Sequence, residues 1–201
     1  MASEMITGAS ETVLINDDVA VEDSSYTTGR RGVAATVIVE KIVGSLAETG
    51  GSLKECKILG DKVNRNSGSM GVAFSSCTVP AAGKPTFKLG PDEMEFGVGI
   101  HGEPGRRRDK VQSAQEITNE LLGAIIEDLK LENNGEILLF VNGMGGTPLT
   151  ELYLLYDNAK KTLDNKNIMV SRSLVGNYCT SLEMQGASIT LTTVSYTHLL
   201  A

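Results

Sequence analysis

Tryptophan is absent from the chain, and aromatic residues make up only 4% of it, so a buried core has to be built from aliphatic side chains. Cysteine is scarce. Cys56, Cys77 and Cys179 are far apart in the sequence, odd in number and without a C-x-x-C pair, which excludes a disulfide framework or a zinc ribbon and favours reduced thiols. Positive charge is also short: 18 Lys and Arg against 25 Asp and Glu leave a formal charge of -7. A sequence-independent nucleic-acid binder needs clustered cations, and the one basic cluster, Arg106 to Arg108, is too small to serve. No apolar run approaches the roughly 18 residues of a membrane span, and Met1 to Ser10 lacks the basic and apolar regions of a secretory signal. These absences predict a cytoplasmic protein that binds neither membrane nor nucleic acid. Histidine occurs twice, as His101 and His198, and no His/Cys/Asp/Glu group has metal-ligand spacing.

What is present suits a globular α/β protein. With 201 residues, 41% of them hydrophobic and 21% charged, the chain can bury roughly 70% of its unfolded surface. Thr12 to Asn16 (TVLIN) reads as a buried strand that stops at Asp17-Asp18. Val33 to Glu48 carries apolar residues at helical spacing up to Gly50-Gly51, and a second helix opens at Ser52 with an S-x-x-E capping box completed by Glu55. Together they predict a helical hairpin against a sheet. Met70 to Phe74 and Met94 to Ile100 read as strands, the latter ending at His101. Val111 to Leu129 is an amphipathic helix, and Glu136 to Asn142 (EILLFVN) is a central strand by its unbroken apolar character. A helix follows from Leu149 to about Leu163, with Thr147 as N-cap and Pro148 at its first position. Ile168 to Val175 and Ser188 to Val194 supply the last strands. Strands that alternate with helices and then double late in the chain predict a mixed β-sheet with flanking helices.

Three stretches invite a functional reading. Asp17 and Asp18 sit at the end of a predicted strand, where ligands of open sheets gather, although a capped loop explains them more simply. The turn Gly143-Met144-Gly145-Gly146-Thr147-Pro148 joins strand to helix as anion-binding turns do, but it matches neither G-x-G-x-x-G nor a P-loop and has no lysine, so a tight packing turn competes with a phosphate site. The third is Glu95 to Gly105 (EFGVGIHGEPG). Its glycines let backbone approach a ligand around His101, Glu103 is placed to orient the imidazole or cap a turn, and a neutral imidazole can act as base, ligand or nucleophile. Ser-His-Asp and Cys-His assignments, the latter through Cys77 or Cys179, are unconstrained by the sequence. His198 lies in a tail that continues no pattern and has no assigned role.

Six blocks occur in one order: V-L-I-N-D-D-V-A-V-E-D-S, T-G-R-R-G-V-A, S-S-C-T-V-P-A-A-G-K-P, E-M-E-F-G-V-G-I-H-G-E-P-G, V-N-G-M-G-G-T-P-L-T-E-L-Y and G-N-Y-C-T-S-L-E-M-Q-G-A-S-I-T-L. From about Thr12 to Val194 the chain thereby resembles the substrate-binding (DhaK) subunit or domain of dihydroxyacetone kinases. The resemblance implies that His101 holds dihydroxyacetone covalently as a hemiaminal while a separate nucleotide-bearing (DhaL-type) subunit or domain delivers the phosphoryl group. That donor is ATP or a phosphotransferase relay through bound ADP, with Mg on the partner and no cofactor on this chain. A homodimer is one assembly it allows, and a non-catalytic dihydroxyacetone-binding regulatory paralogue is the alternative reading. The family's upstream G-G-G-S-G-H-E-P and K-N-Y-T-G-D segments have no counterpart here. The expected organisation is therefore a truncated first domain over 1–66, most of a second over 67–194, and an atypical tail over 195–201, with no kinase activity expected of this piece alone.

Overall fold

The computed structural model describes residues 5, 7–21, 29–81, 83–100 and 105–193. In chain order the elements are α1 (Ala35–Glu48), α2 (Leu53–Arg65), β1 (Ser67–Ala73), β2 (Thr78–Val79), β3 (Lys84–Pro85), β4 (Glu93–Phe96), β5 (Arg107–Lys110), α3 (Ala114–Leu129), β6 (Glu136–Gly143), α4 (Leu149–Asn165), β7 (Met169–Gly176) and β8 (Gly186–Thr193). Six strands form one sheet in the order β5-β4-β1-β8-β6-β7, and β2 and β3 form a separate ribbon. Only β6 and β7 run parallel, joined through α4; every other pairing in the large sheet is antiparallel. The mixed α/β architecture expected from the sequence is therefore what the chain forms.

Alternation along the central strands explains the layers. Ile137, Leu139 and Val141 of β6 face one way and join Met70, Val72, Ile189 and Leu191 in a core covered by α3 and α4. Phe140 and Leu138 face the other way, against Ile38 and Val39 of α1 and Val63 of α2. A strand buried on both faces has to read as continuous apolar sequence, as this one does. The helices begin where their side chains cap them. Ser52 and Glu55 form the predicted capping box, and Ser113 with Glu116 forms a second that starts α3 three residues later than its apolar pattern suggests.

Three expectations need correction. Thr12 to Asn16 is not a strand of the sheet. The Asn64 side chain satisfies its backbone instead, donating to Leu14 O at 3.0 Å and accepting from Asn16 N at 3.1 Å. Residues 17–19 bond to the sheet backbone, through Ser69 N to Asp17 O at 2.7 Å and Val19 N to Ser69 O at 2.9 Å. Second, the strand read as Met94 to Ile100 ends at Phe96, because Gly97 adopts φ +75°. Its partner β5 is made of the basic cluster: Arg107 pairs with Glu120 and lies over the Phe96 ring, and Arg108 pairs with Glu95. Third, Pro148 is the N-cap residue of α4. The Thr147 hydroxyl instead donates to Gly186 O at 2.8 Å and accepts from Gly186 N at 2.9 Å, tying the helix entrance to β8.

Candidate functional site

His101 and Glu103 lie outside the described residues, as does His198. The chain on both sides of 101–104 is described, and it is anchored. On the upstream side Gly97 N donates to Gly71 O at 2.6 Å, and Gly97 O accepts from Arg31 Nη2 at 2.7 Å. A Cβ on Gly99 would stand 2.8 Å from Arg31 Nη1, so a larger residue there would have to displace the guanidinium. On the downstream side the buried Glu95 carboxylate accepts from Gly105 N at 2.8 Å and from Arg108 Nε at 3.0 Å. A Cβ on Gly105 would overlap the Phe96 carbonyl oxygen. The glycines of this block therefore serve close backbone packing as well as freedom of conformation.

Ile100 lines a cavity of about 270 Å3 with Cys77, Val79, Thr180, Ser181 and Leu182. Beneath it Ala73, Cys77, Val98, Met144 and Met184 pack into a small apolar cluster. The walls come from the ribbon after β1 and from the 177–185 connection, which Asn142 holds: its Oδ1 accepts from Tyr178 N and Cys179 N, and its Nδ2 donates to Cys179 O at 2.8 Å. The sequence shows Asn142 only as the last residue of an apolar strand. Nothing in its local pattern signals a loop 36 residues away, so this role is invisible to sequence reasoning.

Asp17 and Asp18 act through structure. Asp17 accepts from Val33 N and Ala35 N at 2.8 and 2.9 Å, capping α1 from a distant part of the chain, and also accepts from the Ser69 hydroxyl. Asp18 accepts from Ala20 N at 2.9 Å and pairs with Arg31 through Nε at 2.8 Å and Nη2 at 2.7 Å. Among the described residues no buried side-chain polar atom lacks a hydrogen-bond partner. Burial pushes the Asp18 carboxyl from its ordinary 3.8 up to about 6, against the pull of Arg31, and burial likewise raises Asp17 against its hydrogen bonds. A carboxyl raised in the folded state binds more protons there than in the unfolded chain. Its stabilising effect is complete below about pH 4 and is lost as pH rises through about 6. The stability difference between wild type and Asp18→Asn should therefore change by up to about 3 kcal/mol across that interval. Urea midpoints of both proteins at closely spaced pH values measure it, and parallel profiles would contradict it.

The other candidates lose their chemistry here. Burial raises the Cys179 thiol, with the charges of Asp17 and Glu40 adding to the effect, so it is a protonated thiol at neutral pH and a poor nucleophile. In the glycine turn, Met144 N donates to Gly186 O, Gly145 N to Asn177 Oδ1 and Gly146 N to Met184 O. The N–H groups of residues 144–146 are thus used within the protein, as in a packing turn. Among the described residues no three His, Cys, Asp or Glu side chains gather as metal ligands, and no helix is long and apolar enough to cross a membrane.

Similarity to known proteins agrees with this arrangement. The chain is 49% identical over 181 residues to the dihydroxyacetone-binding subunit DhaK of PTS-dependent dihydroxyacetone kinase 1 from Listeria innocua, an alignment covering 90% of this chain and 55% of that protein. It is 44% identical to the dihydroxyacetone-binding subunit DhaK of PEP-dependent dihydroxyacetone kinase from Escherichia coli, over 90% of this chain and 57% of that one. The chain thus spans about half the length of the curated relatives it matches. A solved structure of the dihydroxyacetone kinase operon co-activator DhaQ superposes with a TM-score of 0.85 at 34% identity, over 94% of this chain and 58% of that one. With the Dak1 domain model matching residues 1–200, and with the fold and the anchored glycine-rich segment in agreement, the chain belongs to the Dak1 domain family.

Proposed function

We propose that the chain is the substrate-binding part of a dihydroxyacetone kinase, in which His101 holds the ketone as a hemiaminal. The observation that carries this reading is the 49% identity to a dihydroxyacetone-binding subunit over 90% of the chain. In the reaction, a neutral imidazole nitrogen of His101 adds to the carbonyl carbon of dihydroxyacetone. The carbon–oxygen π bond opens, the oxygen gains a proton and the imidazole loses its N–H proton, so the sum is addition of N–H across C=O. Glycerol offers no carbonyl, and the covalent step rejects it although it is nearly the same size. A terminal hydroxyl of the held ketone then accepts a phosphoryl group from ATP, or from a phosphotransferase relay through ADP, with Mg and nucleotide on a separate subunit or domain of the DhaL type.

The test completes the chain with the upstream half of a relative, mixes it with dihydroxyacetone and that relative's nucleotide-bearing subunit, and follows consumption of the phosphoryl donor. Ketone-dependent consumption with the mixture, and none with the chain alone, is expected. A second reading is a dihydroxyacetone-binding regulator without kinase activity, favoured by the similarity to the DhaQ co-activator. Saturable ketone binding with no donor consumption in any mixture selects it. No binding of the ketone at all would contradict both.

A further inference from the structure

We infer that the buried Asp18–Arg31 pair is the positioning device of the segment that carries the substrate histidine, an inference that rests on the role proposed for His101. Arg31 is 6% exposed, and its guanidinium lies between two parts of the chain distant in sequence. One edge, Nε and Nη2, is fixed on Asp18, which is itself tied down by Ala20 N and sits beside the 17–19 contact with β1. Nη2 also reaches Gly97 O, and Nη1 is the atom over which the Gly99 backbone passes. Gly97 is where the chain leaves β4 with φ +75°, and a Cβ there would come within 2.5 Å of Ala20 Cβ, on the same segment that holds Asp18. The pair thus sets where residues 97–99 leave the sheet, four to two residues ahead of His101, while Glu95 fixes Gly105 on the other side.

Stability alone does not require such a pair. A buried ion pair is often replaceable by apolar side chains of similar volume without loss, because desolvation offsets the attraction. The planar guanidinium provides several donors at fixed angles, so that a carboxylate and a carbonyl on separate segments are held in one geometry. Lysine keeps the charge but has a single nitrogen and cannot reproduce that fork. Arg31 is accordingly a positioning residue: it acts through the 97–99 backbone on the group that reacts.

Hydrogen exchange and adduct formation test this together on the full chain, with Arg31→Lys and Asp18→Asn as variants. In Arg31→Lys the amides of 97–100 and of Gly105 should exchange at least about tenfold faster while those of β6 and α4 stay unchanged. The fraction of protein carrying dihydroxyacetone at a fixed concentration should fall roughly 10- to 100-fold, the scale expected when a reacting group is misplaced by about an ångström. Asp18→Asn keeps an oxygen acceptor for the guanidinium and should fall in between. Unchanged exchange at 97–100 and 105, or faster exchange throughout the protein, would overturn the inference. The two ideas separate cleanly. Local loosening in Arg31→Lys with no adduct in wild type leaves the clamp standing and removes the role of His101, whereas a wild-type adduct undiminished in both variants removes the clamp and keeps that role.

Discussion

Replacing His101 by asparagine is expected to abolish covalent capture of dihydroxyacetone and to weaken its binding by at least about 100-fold, roughly 3 kcal/mol. Asparagine is close to histidine in size and polarity, but its amide nitrogen has no available lone pair, so it can donate a hydrogen bond to the carbonyl without adding to it. The discriminating quantity is the preference for dihydroxyacetone over glycerol. Wild type should prefer the ketone strongly, whereas His101→Asn should bind the two with similar weak affinity, since only hydrogen bonds remain and the polyols are nearly alike. Titration calorimetry with both ligands measures the ratio. An asparagine variant that keeps the wild-type preference would show that selectivity resides in the cavity walls near Ile100 and that the histidine is not the reacting group.

The second large effect is structural. Gly145→Ala should destabilise the protein by about 3 kcal/mol or more, a fall in Tm of roughly 6–12 °C for a chain of this size. Gly145 has φ +117°, which L-residues adopt only at a cost of about 1–3 kcal/mol, and an added Cβ would overlap the Leu182 carbonyl oxygen. Relief requires the 180–184 segment to move off the turn. That motion breaks the bridge between Gly145 and Met184 and disturbs the Ser181 N to Met144 O hydrogen bond at 2.8 Å. Because Thr180, Ser181 and Leu182 form one wall of the cavity beside Ile100, ligand binding should fall along with stability. Gly123→Ala is the matched control. That glycine is on the exposed side of α3 with nothing near its Cβ, so alanine there should stabilise by about 0.5–1 kcal/mol. Thermal unfolding of the two variants decides the matter, and similar Tm values for both would contradict it.

Periodicity made the four helices and the central strand β6 legible in advance, because each buries a stripe or a whole surface whose spacing is local. The Ser52 capping box was legible for the same reason, being contained within four residues. Contacts between distant segments were not. The TVLIN run has the composition of a strand, yet a single asparagine, Asn64, meets its backbone groups, and no local pattern announces that. Strand β5 is composed of charged residues that sit at an edge and pair with Glu95 and Glu120, so it carries none of the apolar alternation by which strands are recognised. Likewise Asp17 and Asp18 were readable as a loop-capping pair, but not as the cap of a helix 16 to 18 residues later and the anchor of Arg31. The G-R-R-G and F-G-V-G stretches lie far apart in the sequence. Only the fold places Arg31 of the first against Gly97 and Gly99 of the second.

The central claim is the bond between His101 and the ketone carbon, and carbon–nitrogen coupling observes that bond directly. Protein labelled with 15N in its histidine rings is mixed with dihydroxyacetone labelled with 13C at the carbonyl. A tetrahedral carbon signal that is broadened with the protein and split by a one-bond coupling to 15N is expected, and it should vanish in His101→Asn. Free hydrate also gives a tetrahedral carbon, but without coupling. Saturable binding with only uncoupled carbonyl and hydrate signals would contradict the covalent role of His101.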